Sequence, residues 1–270
     1  MKDVRIAVDR QHISGKLILP EPPVNPKGAV LFVHGWGSTQ RRDIAKAKRL
    51  ALLDCACLTF NLRGHAHTRR QVETVTRAHN FRDLVAAYDF LIEATGVLPE
   101  RVGIVGSSYG GYLATLLTGE RKVQWLALRA PALYKDVDFD LPKRQLNLDA
   151  DLPAYRRRRL DSNENRVLTS ASRFEGDVLI VESQTDTIVP AQVIDNYARA
   201  FIAARSVSHK MLAQADHGLS RESWRRAYAR ILLSWFEERL RSVSASSGIV
   251  LGACQAATST RALSRSPSGG

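Results

Sequence analysis

The residues best suited to chemistry lie in a short glycine-rich stretch near the middle of the chain. Gly106, Ser108 and Gly110 form the pattern Gly-x-Ser-x-Gly, which follows an apolar run at residues 102–105 and precedes a helical pattern from residue 112. A strand, a tight turn and a helix are the setting in which such a serine is a nucleophile, because the turn exposes its hydroxyl and leaves no room for side chains two positions away. The alternative is a glycine-rich turn without a chemical role.

Two backbone amides are candidates to stabilise negative charge beside this serine. The amide of Tyr109 opens the helix after the serine, where the positive end of the helix dipole lies. The amide of Trp36 belongs to the stretch His-Gly-Trp-Gly-Ser at residues 34–38, and its flanking glycines allow a turn that points the amide into a cavity. The Trp36 indole either lines the substrate pocket or packs in the core. His34 is expected to brace the loop as a hydrogen-bonded core histidine rather than to act as a base.

The composition fits one globular domain and excludes several other classes. The chain has 270 residues, of which 44% are hydrophobic and 24% charged, and this is enough for one full core. No apolar run approaches the length of a membrane span and no signal peptide is recognisable, so we expect a cytoplasmic protein without a membrane partner.

The net charge of +12 does not by itself indicate a nucleic-acid partner. The 39 basic residues are spread along the chain rather than gathered in one stripe, so no nucleic acid is expected to bind. The one dense group is the four arginines at residues 156–159. These are expected to be a solvated face of a lid segment, and the alternative is a patch that attracts anionic substrates or polyanions.

The cysteines and paired histidines do not predict a metal, a cofactor or a disulfide. Cys55, Cys57 and Cys254 are odd in number and lack the spacing of zinc ligands. Cys55 and Cys57 alternate along an apolar run and are expected in the core. His65 and His67 have no carboxylate or cysteine pair close in sequence, so metal binding is not expected there.

Apolar runs alternate with amphipathic helical patterns along most of the chain. The first two runs indicate an antiparallel hairpin, and the later alternation indicates a mostly parallel sheet of about eight strands with helices on both faces. Residues 132–172 lose the pattern directly after a strand and are predicted to form a small lid insertion. Residues 241–270 are rich in Ser, Ala, Gly and Thr and contain no acidic residue, which predicts a disordered tail after a domain at 1–240. The predicted strands are residues 4–8, 15–19, 29–33, 55–62, 102–105, 123–128, 178–182 and 208–212.

Over residues 1–240 the chain resembles the α/β-hydrolase family. Ser108, Asp186 and His217 occur in the family's order of nucleophile, acid and base, each directly after a predicted strand. The run Ser-Tyr-Gly-Gly-Tyr that starts at Ser108 and the run from Asp186 to a Val-Pro pair are similar to dienelactone-hydrolase-like and prolyl-oligopeptidase-like members. The extra domain of true oligopeptidases is absent from the sequence, so a small esterase is the nearer analogue. Two framework positions depart from the family: Asn61 stands where many members have Asp, and Ala66 where Gly is common.

The resemblance implies a serine hydrolase that cleaves a small carboxylic ester through an acyl-enzyme. His217 would take the proton of Ser108 during attack on the carbonyl, and Asp186 would hold the imidazole in the right tautomer. The amides of Trp36 and Tyr109 would hold the oxyanion, and water would then release the acyl group.

Several alternatives stay open at this level. Asp216 is a rival acid, although a carboxylate rarely turns onto the ring of the next residue in sequence. The same machinery would serve a small peptidase or an acyltransferase. A non-catalytic binding protein could also retain the fold.

Overall fold

The computed structural model describes residues 1–22, 25–137, 139–146 and 148–259, with the backbone alone for residue 146 and residues 243–259. Its strands are β1 (Lys2–Val8), β2 (Gln11–Ile18), β3 (Gly28–Val33), β4 (Cys55–Phe60), β5 (Val102–Ser107), β6 (Trp125–Arg129), β7 (Asp177–Ser183) and β8 (Ser206–Leu212). They form one sheet in the order β1-β2-β4-β3-β5-β6-β7-β8. Strand β2 pairs with β1 and with β4 in antiparallel fashion, and all other pairs are parallel. The predicted α/β-hydrolase sheet is thereby confirmed.

Helices cover both faces of this sheet. They are α1 (Ile44–Ala51), α2 (Arg77–Thr95), α3 (Tyr109–Leu117), α4 (Lys143–Leu146), α5 (Leu152–Arg156), α6 (Arg166–Ser172), α7 (Ala191–Ala200) and α8 (Glu222–Ser259). One apolar core lies between the sheet and α2, α3, α6 and α7, and the other lies between the sheet and α1 and α8. Successive side chains of a strand point to opposite faces, so Leu31 enters the first core and Phe32 the second.

Helix α2 has well-defined ends, which fixes the residues of its first turn. The Thr76 hydroxyl accepts a hydrogen bond from the His79 amide at 3.1 Å, and the His79 ring nitrogen Nδ1 accepts one from the Thr76 amide at 3.2 Å. This reciprocal capping satisfies two amides that a helix start otherwise leaves without partners. The helix ends at Gly96, whose φ of 64° lies in the left-handed region that glycine adopts without strain. Arg77 is therefore held at the first position of a fixed helix.

The predicted lid region between β6 and β7 contains three short helices with different environments. In α6 the side chains of Val167, Leu168 and Ala171 are buried in the main core. The chain before α4 is joined to the start of α2, because the Ala78 amide donates to the Phe139 carbonyl at 3.3 Å. The segment 139–146 thus packs against the start of α2, while α6 belongs to the helical layer.

The four arginines at residues 156–159 do not share one environment. Arg156 is buried, and its guanidinium donates to the carbonyls of Leu133 at 3.0 Å and Ile188 at 3.2 Å. The next three arginines are exposed. The expectation of one solvated face is therefore wrong for Arg156, because the end of α5 turns its side chain inward.

The last helix differs from the expectation of a disordered tail. Helix α8 continues to Ser259, so the backbone of residues 241–259 is helical. Since the chain has no proline between Pro190 and Pro267, nothing in this stretch removes a helical amide. Residues 260–270 of the predicted tail lie outside the described residues, and the prediction stands for them. Among the helices that are described, none combines the length and hydropathy needed to cross a bilayer.

Candidate active site

Ser108 lies on a strained turn between β5 and α3. Its φ of 51° and ψ of −115° are unusual for a residue with a side chain. A Cβ at Gly106 would lie 2.6 Å from the Gly110 carbonyl oxygen, and a Cβ at Gly110 would collide with the carbonyl oxygen of Val33. Only glycine fits at both positions, so the sequence pattern follows from the close approach of β3, β5 and α3.

The structure brings Ser108, His217 and Asp186 into one chain of hydrogen bonds. The His217 ring nitrogen Nε2 is 3.0 Å from the Ser108 hydroxyl oxygen, and Nδ1 is 2.6 Å from Asp186 Oδ2. An ionised carboxylate only accepts hydrogen bonds, so Nδ1 carries the proton and Nε2 is free to accept from the serine. This is the geometry of a serine hydroxyl with a base in contact and an acid behind it.

Asp186 is held as a carboxylate by the loop after β7. Its Oδ1 accepts from the amides of Ile188 at 2.9 Å and Val189 at 2.8 Å. Burial raises the pKa of the Asp186 carboxyl, but the hydrogen bonds from His217 and the Val189 amide outweigh burial, and the pKa is lowered overall. The negative charge that orients the imidazole is therefore present at neutral pH.

Asp216 does not take part in this arrangement. Its carboxylate accepts from the Ser220 amide at 3.0 Å and from the Ser220 hydroxyl, and these bonds lower its pKa. The His217 imidazole pairs with Asp186 instead. The carboxylate of Asp216 is thus bound by Ser220 rather than by His217.

The loop at residues 34–38 packs directly against the nucleophile. A Cβ at Gly35 would lie 3.5 Å from the Ser108 Cβ, so the loop backbone and the serine are in contact. Within the described residues, the amides of Trp36 and Tyr109 donate to no protein acceptor. Neither predicted donor is thus engaged elsewhere in the described residues, and their role in holding an oxyanion stays a prediction.

Two neutral histidines brace this loop from behind. His34 donates from Nδ1 to the Gly35 carbonyl at 2.8 Å and accepts at Nε2 from the Leu62 amide at 3.1 Å. Burial lowers the pKa of His34 to about 4, so it stays neutral and does not compete as a base.

His65 braces the other end of the loop. Its Nε2 accepts from the Gly37 amide at 3.1 Å, and burial lowers its pKa as well. Sequence reasoning weighed His65 only as a metal ligand and missed this contact. In the part of the chain that is described, no group of three His, Cys, Asp or Glu side chains could hold a metal ion.

The two framework departures have local consequences. Asn61 accepts from the Gln40 amide at 3.0 Å and donates to the Ser14 hydroxyl at 3.0 Å, so its amide joins β2 to the loop after β3. Ala66 has a φ of 49°, in the left-handed region where glycine is favoured.

Two arginines donate hydrogen bonds to the backbone of the loop that carries His217, and the sequence analysis did not identify either of them. The guanidinium of Arg129, at the end of β6, donates to the His217 carbonyl at 2.5 Å, and Arg42 donates to the Gly218 carbonyl at 2.9 Å. Arg129 is buried, and this burial lowers its pKa. The signal in the sequence was an arginine that ends a continuous apolar strand.

The Trp36 indole forms part of an aromatic wall beside the nucleophile. Its ring is edge-to-face with His65 at 4.8 Å and with Tyr109 at 5.6 Å between centroids. The ammonium of Lys143 lies 4.5 Å from the indole centroid. The half-buried indole thus both packs against the loop and faces the segment 139–146.

Comparison with known proteins agrees with this geometry. A family model described as the prolyl oligopeptidase family matches residues 43–243. No curated protein sequence gives a significant match.

Solved structures share the fold at low sequence identity. Dienelactone hydrolase from Anabaena variabilis superposes with a TM-score of 0.63 at 20% identity, covering 88% of this chain and 96% of that one. Est1E from Butyrivibrio proteoclasticus, with ferulic acid bound, gives 0.66 at 16% identity, covering 90% and 99%. Acylaminoacyl peptidase from Pyrococcus horikoshii gives 0.66 at 18% identity, covering 88% of this chain but 41% of that one. The chain belongs to the prolyl oligopeptidase family and is a serine hydrolase of the α/β-hydrolase fold.

Proposed function

We propose that this chain hydrolyses carboxylic esters through a covalent acyl-enzyme on Ser108. The observation that carries the proposal is the hydrogen-bond chain from Ser108 Oγ through His217 to Asp186, at 3.0 and 2.6 Å. The strained backbone of Ser108 and the two available amides beside it support the same chemistry.

The proposed reaction has two symmetrical halves. In the first, Ser108 Oγ attacks the ester carbonyl carbon while its proton moves to His217 Nε2, and the carbonyl becomes a tetrahedral oxyanion held by the amides of Trp36 and Tyr109. The C–O bond to the alcohol then breaks, and His217 returns the proton to the leaving oxygen. In the second half, water attacks the acyl-enzyme, His217 takes its proton, and the acid leaves as Ser108 recovers its hydrogen.

The electrostatics of the site support this cycle. His217 becomes positively charged in each half, and the adjacent Asp186 carboxylate stabilises that charge. Each oxyanion donor contributes on the order of 10²- to 10³-fold to the rate in comparable sites.

Esters are the proposed substrates because solved proteins that this chain covers almost completely, a dienelactone hydrolase and Est1E with ferulic acid, are named for ester chemistry or an aromatic acid. A peptidase is the second candidate. The prolyl oligopeptidase family match and the likeness to an acylaminoacyl peptidase favour it. A 4-nitrophenyl ester and the 4-nitroanilide of the same acyl group would separate the two, and we expect the ester to be the preferred substrate.

The test of the proposed function uses the nucleophile and its neighbour in sequence. Turnover of 4-nitrophenyl acetate and labelling by a fluorophosphonate probe should both disappear in Ser108→Ala. The Ser107→Ala variant is the matched control, and it should retain both. Retained turnover in a folded Ser108→Ala protein would refute the proposal.

A further inference from the structure

Three positively charged side chains surround one aromatic ring close to the candidate site. The guanidinium carbons of Arg77 and Arg156 lie 5.5 and 4.9 Å from the Tyr134 ring centroid, and the Lys143 ammonium lies 5.0 Å from it. Arg77, Lys143 and Arg156 are only 0%, 1% and 9% exposed. We call this group the Tyr134 cation cluster. A buried charged group is costly unless its polar atoms have partners, and Arg77 is the member of the cluster for which this question arises.

The Tyr134 cation cluster adjoins both sides of the reacting centre. The Lys143 ammonium is 4.5 Å from the ring centroid of Trp36 and 5.3 Å from that of Tyr109, the two residues whose amides are proposed to hold the oxyanion. Arg156 donates to the carbonyl of Ile188, in the loop that also fixes Asp186. The cluster is therefore joined by direct contacts to residues on both sides of Ser108.

Arg77 has one side of its guanidinium unused. Its Nη1 donates to the Tyr112 hydroxyl at 3.1 Å and to the Lys135 carbonyl at 2.8 Å. Its Nε and Nη2 are buried and have no hydrogen-bond partner. A buried donor without a partner costs free energy, so an unused pair on a fully buried arginine requires an explanation.

The unused pair is the edge with which arginine grips a carboxylate. Nε and Nη2 present two parallel N–H groups that match the two oxygens of a carboxyl group. This chain uses the same edge elsewhere. Arg121 binds both oxygens of Asp89 through Nε at 2.8 Å and Nη2 at 3.0 Å, and Arg205 binds Asp177 in the same way.

No carboxylate of the described residues occupies this edge. Neither Arg77 nor Arg156 forms an ion pair within that part of the chain. Asp136 follows the residue whose carbonyl Arg77 binds, but it forms no hydrogen bond or ion pair with Arg77. Its Oδ2 accepts from the Arg166 amide at 2.8 Å, and its Oδ1 lies 3.4 Å from Arg166 Nε as an ion pair but has no hydrogen bond. Within the described residues, the Nε–Nη2 edge of Arg77 thus has no anionic partner.

We propose that the Nε–Nη2 edge of Arg77 binds the carboxylate of an anionic ester substrate, with Lys143 beside it. This inference rests on the proposed ester hydrolysis and names its substrate class as esters that carry a second, ionised carboxyl group. Arg77 is fully buried and its guanidinium carbon lies 5.4 Å from the Phe139 ring centroid, so the proposal requires the Phe139 ring to move when the carboxylate enters. A phosphate or sulfate group would use the same edge.

The kinetic test compares charged and neutral esters of one chain length. The 4-nitrophenyl half-esters of succinate, glutarate and adipate are set against the same compounds with the free carboxyl methylated. For the best length, the ratio of kcat/KM for the charged over the neutral ester should fall about 10- to 100-fold in Arg77→Met and recover in part in Arg77→Lys. Lys143→Met should lower the same ratio. The exposed Arg159→Met is the matched control, and its ratio should equal that of the wild type.

A second measurement does not depend on turnover. In a Ser108→Ala background, glutarate should raise the melting temperature in a saturable manner, whereas 1,5-pentanediol should not, and Arg77→Met should abolish the shift. Inorganic phosphate tests the alternative anion, and a shift with phosphate but not with glutarate would overturn the carboxylate assignment. The half-esters carry their carboxylate on the acyl side of the ester. Comparing 4-acetoxybenzoate with its methyl ester tests a carboxylate on the alcohol side.

The outcomes separate this inference from the proposed function. Hydrolysis of the neutral esters with no charge preference, together with no glutarate shift, would overturn the inference and leave ester hydrolysis intact. A glutarate shift without hydrolysis of any ester would overturn ester hydrolysis and leave carboxylate binding at Arg77 intact.

Discussion

Replacing Asp186 by Asn should destroy activity through the wrong tautomer of His217 while keeping the fold. Asp186 Oδ1 accepts from the amides of Ile188 and Val189, and Oδ2 accepts from His217 Nδ1. An asparagine must keep its oxygen toward the two amides, because its NH₂ group there would face two other donors. The NH₂ group then points at Nδ1, which must give up its proton and accept.

The consequence reaches the nucleophile directly. With Nδ1 as acceptor, Nε2 carries the hydrogen and no longer accepts from Ser108, whose hydroxyl lies 3.0 Å away. The same change of tautomer in a serine protease costs about 10⁴-fold in kcat. That corresponds to about 5 kcal/mol of activation free energy. We expect a loss of this size in kcat for 4-nitrophenyl acetate, with a KM close to that of the wild type.

The adjacent acid provides the matched control. Asp216→Asn makes the same chemical change one residue from His217, at a side chain engaged by Ser220. Its kcat should stay within about threefold of the wild type, as expected for a surface change. A loss below about tenfold in a correctly folded Asp186→Asn, or a larger loss in Asp216→Asn, would refute the assignment of the acid.

Three further predictions concern stability and the position of the base. The pKa of His34 is about 4 in the folded chain against 6.5 in the unfolded chain, so the unfolded state binds the proton first and stability falls as the pH drops from 6.5 towards 4. Urea unfolding should therefore show that the unfolding free energy falls between pH 7 and pH 4.5 by about 2 kcal/mol less in His34→Gln than in the wild type. An equal fall in both proteins would contradict the buried neutral imidazole. Gly110→Ala should cost at least about 3 kcal/mol of unfolding free energy because of its backbone collision, whereas Gly96→Ala, with open space around it, should cost about 1 kcal/mol; similar costs would argue against the tight turn. Arg129→Met should lower kcat for 4-nitrophenyl acetate about 10- to 100-fold because the His217 carbonyl loses its donor. Arg129→Lys should restore part of the lost kcat. If Arg129 were purely structural, both variants would be less stable and kcat would not recover in Arg129→Lys.

The sequence predicts the fold well because the elements are local and strongly patterned. Strand β3 is apolar throughout and β7 has an apolar centre at residues 178–181, and the glycines around Ser108 can be explained by sterics alone. The alternation of strands and helices then places Ser108, Asp186 and His217 at the same edge of a parallel sheet. Their distances follow from the fold and are not contained in any single motif.

What escaped prediction depends on side-chain direction in irregular segments. Arg156 belongs to a run of four arginines, and only the turn at the end of α5 sends it inward to Leu133 and Ile188. The partners of Arg77 come from α3 and from the loop after β6, more than thirty residues away. The brace from His65 to the Gly37 amide likewise joins two loops. Such contacts have no periodic pattern in the sequence, since each depends on how separate loops pack together.

The central claim is that Ser108 carries the acyl group during turnover. Intact-protein mass spectrometry of the chain, quenched with acid during hydrolysis of 4-nitrophenyl acetate, tests it most directly. The account predicts a single acetyl adduct that maps to the peptide containing Ser108 and is absent from Ser108→Ala. Turnover without an adduct on that peptide, or an adduct on another side chain that persists in Ser108→Ala, would contradict it.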